Sequence, residues 1–355
     1  MCAFGDYPEA TLEIINIVPR RGPAGIIAPS CDAATALAVH EINSGTGILG
    51  RELRVTTIDG GRCPQVVANE VSALLATGMV HAITGCHASS VRRAVATANA
   101  GRVPYLFATA HEGLDEQPGV FLLGEHPASH TLAAVRWLRR EYGVRRLAII
   151  GSDYIWPRET ARAVRRSLPD PADIVLEQFV PIGAADFRSF LREPALDRAD
   201  CVLILLVGAE IAHFNRQFAA AGRTAPRLSP ATDENVLLAG GPDANRDLYV
   251  PSSFFLSDRL PDGLARRIRY RRMHGDFAPA LTSFGNAVYE GMHALRAIAE
   301  SVRSLHVPDL HRAFTTGVRF HTPGGLRDFH GNQAVQPCYL ARAAGVGFAV
   351  VDRIY

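Results

Sequence analysis

The run Leu147-Ala-Ile-Ile-Gly-Ser-Asp-Tyr-Ile-Trp-Pro-Arg-Glu-Thr160 decides the fold class. An apolar stretch stops at Gly151, a polar turn follows, and Pro157 opens a helical pattern that runs through Arg166. Open α/β sheets present strand, loop and helix start to ligands in this order. The first N–H groups of the helix have no intrahelical partner and face the strand ends. Tyr154 and Trp156 read as loop residues. Aromatics placed beside Gly and Pro, outside a strand, act either as a ligand lid or as packing for the loop's own domain.

Working outward, the same alternation fills the chain. Strand Leu12–Val18, a helix from about Pro29 to Asn43, strand Leu53–Ile58, helix Gln65–Leu75, strand Ala82–Thr84, helix Ser90–Ala100 and strand Tyr105–Ala108 form one unit. A second unit restarts with a helix near Ser129–Tyr142 and continues through strands Ile174–Val180 and Cys201–Val207 to a short strand near Ser229. Helices Gly263–His274 and Phe284–Arg303 follow. A turn-rich stretch, 320–333, then leads into strands Cys338–Ala343 and Phe348–Val351. Repeated strand–helix alternation predicts an α/β protein of two Rossmann-like units with parallel sheets and crossover helices. A chain of 355 residues is also too long for one ordinary core.

Composition excludes several classes of function. All 37 basic side chains are arginine, so chemistry that needs a P-loop lysine, a Schiff-base lysine or pyridoxal phosphate is impossible. A net charge of +2 gives no general attraction to nucleic acid or to an anionic membrane. No apolar window reaches bilayer length, and Met1–Pro8 shows neither a basic head nor an apolar export segment. The six scattered cysteines have no CxxC and no metal-ligand spacing, which suits free thiols in a reducing cytoplasm and predicts no metal and no cofactor.

The candidate site lies at the strand ends. Gly85-Cys-His-Ala-Ser-Ser90 leaves one strand for a helix, and Phe107-Ala-Thr-Ala-His-Glu-Gly113 leaves the next strand in the same direction. Parallel strands open such loops on one edge, so Ser89, Thr109, His111 and Glu112 are expected to converge, with one of Ser89 and Ser90 serving as an N-cap. Two hydroxyls and backbone donors suit an uncharged polar group such as an amide. No G-x-S-x-G and no assigned base support nucleophilic catalysis, so no enzyme is expected. Ala231-Thr-Asp-Glu-Asn235 is either a set of carboxylates at the cleft or a solvated turn. His126 and His130 read as helix-start residues, and Gly45-Thr-Gly-Ile-Leu-Gly50 as a turn, because it follows a helix instead of opening one. Arg266–Arg272 reads as a solvated helix face.

These loops resemble the type I periplasmic-binding-protein superfamily, and within it the amide-sensing regulators of aliphatic amidase operons. Gly151–Glu159, Gly85–Ser89, Thr109 with Glu112-Gly113, and Gly325–Asn332 carry the likeness, which extends from about Leu12 to Val351. The resemblance implies two lobes joined by a three-crossing hinge, with lobe 1 over 10–124 plus 258–325 and lobe 2 over 125–257 plus 326–355. It implies ligand contacts from Ser89, Thr109 and Tyr154; with His87, His111, Glu112, Trp156 and Asp233 from the loops read above, these make up the candidate ligand-binding set. It further implies a cytoplasmic sensor of a small amide-like molecule, controlling amidase or nitrile hydratase genes through an RNA-binding, antiterminator-like protein without touching nucleic acid itself. The alternative is the solute receptor of an ABC importer for amides, urea or amino acids. His87, Phe107 and His111 stand where those sensors carry tyrosine, and Ala108 and Ala110 where they carry proline, which leaves the ligand open. Homo-oligomerisation is open as well. No tyrosine stands near Leu206-Val207, where the amino-acid receptors of the superfamily use one, and this argues against an α-amino acid, although Asp233 or Glu234 remains available as a countercharge.

Overall fold

The computed structural model describes residues 10–113, 117–257 and 261–355. The Met1–Pro8 stretch with Cys2 lies outside them. The first run of elements is β1 (Thr11–Val18), α1 (Ala28–Asn43), β2 (Glu52–Asp59), α2 (Pro64–Ala76), β3 (Val80–Gly85), α3 (Ser89–Asn99), β4 (Tyr105–Phe107) and β5 (Val120–Leu122). The chain then crosses to α4 (Thr131–Tyr142), β6 (Leu147–Ser152), α5 (Ile155–Ser167), β7 (Ile174–Val180), α6 (Arg188–Leu191), β8 (Cys201–Leu205), α7 (Ala209–Ala220), β9 (Arg227–Leu228), α8 (Glu234–Gly240) and β10 (Leu248–Ser252). It returns for α9 (Pro261–His274), α10 (Ser283–Val302), α11 (Val307–Thr315), β11 (Phe320–Thr322), β12 (Gly325–His330) and β13 (Gln333–Val335). It crosses once more to β14 (Tyr339–Ala344) and β15 (Gly347–Arg353).

Two mostly parallel sheets result. The first is ordered β11-β12-β13-β5-β4-β3-β1-β2, and the second β15-β14-β10-β9-β8-β6-β7. Within the two sheets, the antiparallel pairs are those among β11–β13 and those of β14 with its two neighbours. Both faces of β1 are covered, as its near-continuous apolar sequence requires. Leu12, Ile14 and Val18 pack with α1 and α10 on one side, and Ile15 and Ile17 with α2 and α3 on the other. A separate core fills the second lobe around β6, β8 and β10.

The three crossings lie side by side and bond to each other. Ser253 donates to Glu125 Oε1 through its backbone N–H (3.0 Å) and its hydroxyl (2.6 Å), while the Gln336 amide donates to the Leu123 carbonyl. β12 and β13 pair inside the first sheet, so residues 326–335 belong to lobe 1 and the third crossing falls at 336–338. This corrects the boundary expected at 326. The turn signals in 320–333 are the hairpin ends of the six-residue β12 and the three-residue β11 and β13 on either side of it.

Two further readings change. Helix α5 begins at Ile155, so Trp156 lies in its first turn and not in a loop. Arg266 is not on a solvated face: it is buried, pairs with Glu290 at 2.9 Å and lies over the Tyr289 ring. Arg269 pairs with Glu41 at 2.7 Å, which leaves Arg271 and Arg272 as the exposed part of that cluster.

Candidate functional site

A cavity of about 440 Å³ opens where the carboxyl ends of both sheets face each other. Its walls bring together Ser89, Thr109, Tyr154, His87 and Trp156, five of the eight residues expected at a site. Pro23, Ile27, Ile182, Val207 and Phe284 make most of the rest of the lining apolar. The lobes touch beside it, where the Asn235 amide donates to the Ile26 carbonyl (3.3 Å) and Gly208 abuts Pro23.

Ser89 is the first residue of α3, and the cap position belongs to Ala88 in extended conformation. Neither Ser89 nor Ser90 is therefore the N-cap. The Ala88 carbonyl takes the N–H groups of Val91 and Arg92 (3.0 Å each), leaving those of Ser89 and Ser90 without an acceptor among the described residues. The hydroxyls of Ser89, Thr109 and Tyr154 likewise make no hydrogen bond to protein among the described residues, although Ser89 is only 2% exposed. Tyr154 caps α5 in extended backbone conformation, which swings its ring from the second lobe to the cavity. Burial pushes its phenol well above the usual range, helped by the nearby Glu210 and Glu112 carboxylates, so it stays a donor.

His87 forms part of the wall as a neutral ring. Its Nδ1 lies 3.1 Å from the Ile17 carbonyl and its Nε2 2.5 Å from the Tyr105 hydroxyl. The carbonyl requires an N–H at Nδ1, so Nε2 accepts from the phenol. Burial lowers its pKa to about 3, and the Arg92 cation adds to the shift. Trp156 packs into the second core at 5% exposure, with its edge reaching the cavity.

The other three expected residues stand behind the walls. His111 is enclosed, stacks edge-on near His126 and accepts the Gly113 N–H at Nδ1 (3.2 Å), and burial lowers its pKa to about 3. Glu112 is bound to the buried Arg92 at 2.8 Å. That ion pair joins the first turn of α3 to the loop after β4, the two segments that carry Ser89 and Thr109. Arg92 also lies 4.9 Å from the Phe107 ring centroid. Asp233 is the N-cap of α8, accepting the Val236 N–H at 2.9 Å, so its role is structural.

Charge in the walls is neutralised in place. Arg21 pairs with Asp59 (2.5 Å) and Arg62 with Glu70, and no Asp or Glu lines the cavity among the described residues. The sequence reading missed Glu210. It is buried in the first turn of α7 and accepts from the Ser152 hydroxyl (2.5 Å) and from the backbone N–H groups of Val207 (3.1 Å) and Gly183. One carboxylate thus ties together three loops of the second lobe, two of which carry the lining residues Ile182 and Val207. An acid just after Gly208 at a helix start was the available signal. Among the described residues no group of side chains has the composition of a metal site.

Comparison with known proteins agrees with this architecture. The branched-chain amino acid transporter substrate-binding protein of Streptococcus pneumoniae, solved with isoleucine, superposes with a TM-score of 0.83 at 17% identity over 96% of this chain and 99% of that one. A solute-binding protein of an ABC transporter from R. palustris, solved with benzoate, gives 0.81 at 18% identity over 97% and 96%. The leucine-binding protein of Thermotoga maritima gives 0.83 at 17% identity over 97% and 98%. At these identities the likeness is one of fold. A family profile described as periplasmic binding protein matches residues 11–347. That match, with transporter receptors as its structural neighbours, overturns the expected cytoplasmic placement and points to the periplasm. Scattered thiols and an unremarkable N-terminus were weak grounds for a compartment. The chain belongs to the periplasmic binding protein family.

Proposed function

We propose that this chain is the solute-binding receptor of an ABC importer, and that its solute has a carboxylate head, an apolar body and no ammonium group. The observation that carries this reading is the set of five donors around one cavity: three hydroxyls and the N–H groups of Ser89 and Ser90, none of which has a protein acceptor among the described residues. A carboxylate only accepts, so it satisfies such a set, and the α3 N-terminus favours its charge. An α-amino acid would bring an ammonium group to walls that lack a carboxylate, at a high desolvation cost. An amide head, as in the amide sensors, is served less well because its NH2 needs acceptors that only the hydroxyls supply. The solved relatives that hold benzoate and hydroxybenzoates support an acid with an apolar body. The partners in this reading are the membrane subunits of an importer, not an antiterminator-like protein.

A thermal-shift series with benzoate, isobutyrate, benzamide and isoleucine tests the proposal. Ligand at about a hundred times its dissociation constant stabilises a fold by roughly 2.7 kcal/mol. Benzoate or isobutyrate should raise the midpoint more than benzamide, and isoleucine should leave it unchanged. Ser89→Ala with Thr109→Ala should abolish the shift while the unliganded midpoint stays in place. A shift with isoleucine alone, or a full benzoate shift in the double variant, contradicts the reading.

A further inference from the structure

Two cations reach the cavity away from the donors around Ser89. Arg21, in the loop after β1, and Arg62, in the loop after β2, both belong to its lining. The first sheet runs β4-β3-β1-β2 with these strands parallel, so their loops stand in that order along one edge. Thr109 and Ser89 follow β4 and β3. The loop of Arg62 lies two strand spacings beyond that of Ser89, roughly 10 Å along the edge. Asp59 fixes both arginine loops. Its Oδ1 accepts the backbone N–H groups of Arg20 (2.8 Å) and Gly61 (2.9 Å), one from each loop, and its Oδ2 accepts Nε of Arg21 (2.5 Å). Arg62 donates to the Asp59 carbonyl through Nε (3.1 Å) and to Glu70 through Nη2. The two backbones are so close that a Cβ at Gly61 would lie 2.2 Å from the Arg21 carbonyl oxygen.

These charges are paired, but the two signs are not placed alike. The guanidinium groups line the cavity, whereas Asp59 and Glu70 stand behind them, so the charge nearest a guest is positive. The pairings also leave donors over. The Arg21 side chain meets protein only through Nε, and Nη1 of Arg62 has no protein acceptor among the described residues. Planar N–H groups on held guanidiniums match the geometry of a carboxylate. We propose that the solute carries a second carboxylate at the far end of its apolar body, held by Arg21 and Arg62, which rests on the acid-receptor reading of this cavity. The solute is then a dicarboxylate: one acid group takes the hydroxyls and the α3 N–H groups, and the other takes the two arginines. Arg21 is largely exposed, so water and salt weaken its share. The second acid group should therefore tighten binding by about tenfold, and not by the larger factor of a fully buried pair.

The test is isothermal titration of the full-length chain with benzoate, terephthalate and the half-amide of terephthalate, which keeps the size of the diacid but has a neutral far end. Terephthalate should bind about tenfold tighter than either of the others. In Arg21→Gln with Arg62→Gln, the ratio of terephthalate to benzoate affinity should fall to about one, a change that a purely structural role for the arginines would not produce. Equal binding of terephthalate and its half-amide, weaker binding of terephthalate than of benzoate, or a native ratio in the double variant overturns the second acid site. Benzoate binding without a preference for the diacid removes this proposal alone, whereas no binding of any of the three acids removes the acid-receptor reading with it. Should the variant fail to fold, the three titrations of the native chain still decide.

Discussion

Asp233 shows how burial recasts a residue that reads as a cleft carboxylate. It caps α8 at the lobe seam, where Thr282 of the first lobe stands near its carboxyl, and desolvation raises its pKa from 3.8 to about 6. Between those values the folded chain keeps a proton that the unfolded chain releases, so this group's stabilising contribution is complete below about pH 4 and lost as the pH rises through 6. Asp233→Asn retains a capping oxygen and has no charge to bury. Chemical denaturation should therefore find it more stable than the native chain at pH 8, by about 3 kcal/mol, and no more stable at pH 4. Equal curves at both values would mean that the carboxyl ionises freely. Ser89 and Thr109 were legible because a hydroxyl at a strand end points to the ligand edge whatever its distant partners are. His111 and Glu112 were not, since their surroundings depend on His126 and Arg92, which only the folded chain brings close.

Among the elements, the loop between β8 and α7 carries the clearest conformational demand. Gly208 has φ +52° and ψ −124°, and an added Cβ would lie 2.1 Å from the Pro23 carbonyl oxygen of the other lobe. Gly208→Ala should strain the loop by about 1–3 kcal/mol and obstruct the approach of the lobes. Isothermal titration should show weaker solute binding, while circular dichroism shows the same secondary structure. Binding at native affinity would mean that the lobes bind solute without that contact. Longer elements were readable from periodicity: α10, predicted over Phe284–Arg303, spans Ser283–Val302. The three-residue strands β11 and β13 were not, because so short a segment owes its conformation to the strand beside it and holds no periodic signal of its own.

For the whole molecule, two cores meet at the cavity, and three crossings bonded through Glu125, Ser253, Leu123 and Gln336 join them. Donors come from both sides, Ser89 and Thr109 from the first lobe and Tyr154 from the second. A solute that engages both binds the closed arrangement better and shifts the population toward it. Small-angle scattering should therefore show a smaller radius of gyration when benzoate is added, and no change in the Ser89→Ala, Thr109→Ala variant. Compaction in that variant would place the grip elsewhere.

Taken alone, the amino-acid sequence determined the alternation of strand and helix, the edge on which the loops after β3, β4 and β6 open, and the exclusion of lysine chemistry. These follow from local periodicity and composition, which need no knowledge of long-range contacts. Only the tertiary structure decided that Arg92 meets Glu112, that Glu210 gathers three loops, and that Asp233 stands behind the cavity wall. Each depends on which strands lie side by side and how deeply a group is buried, and crossover topology sets both.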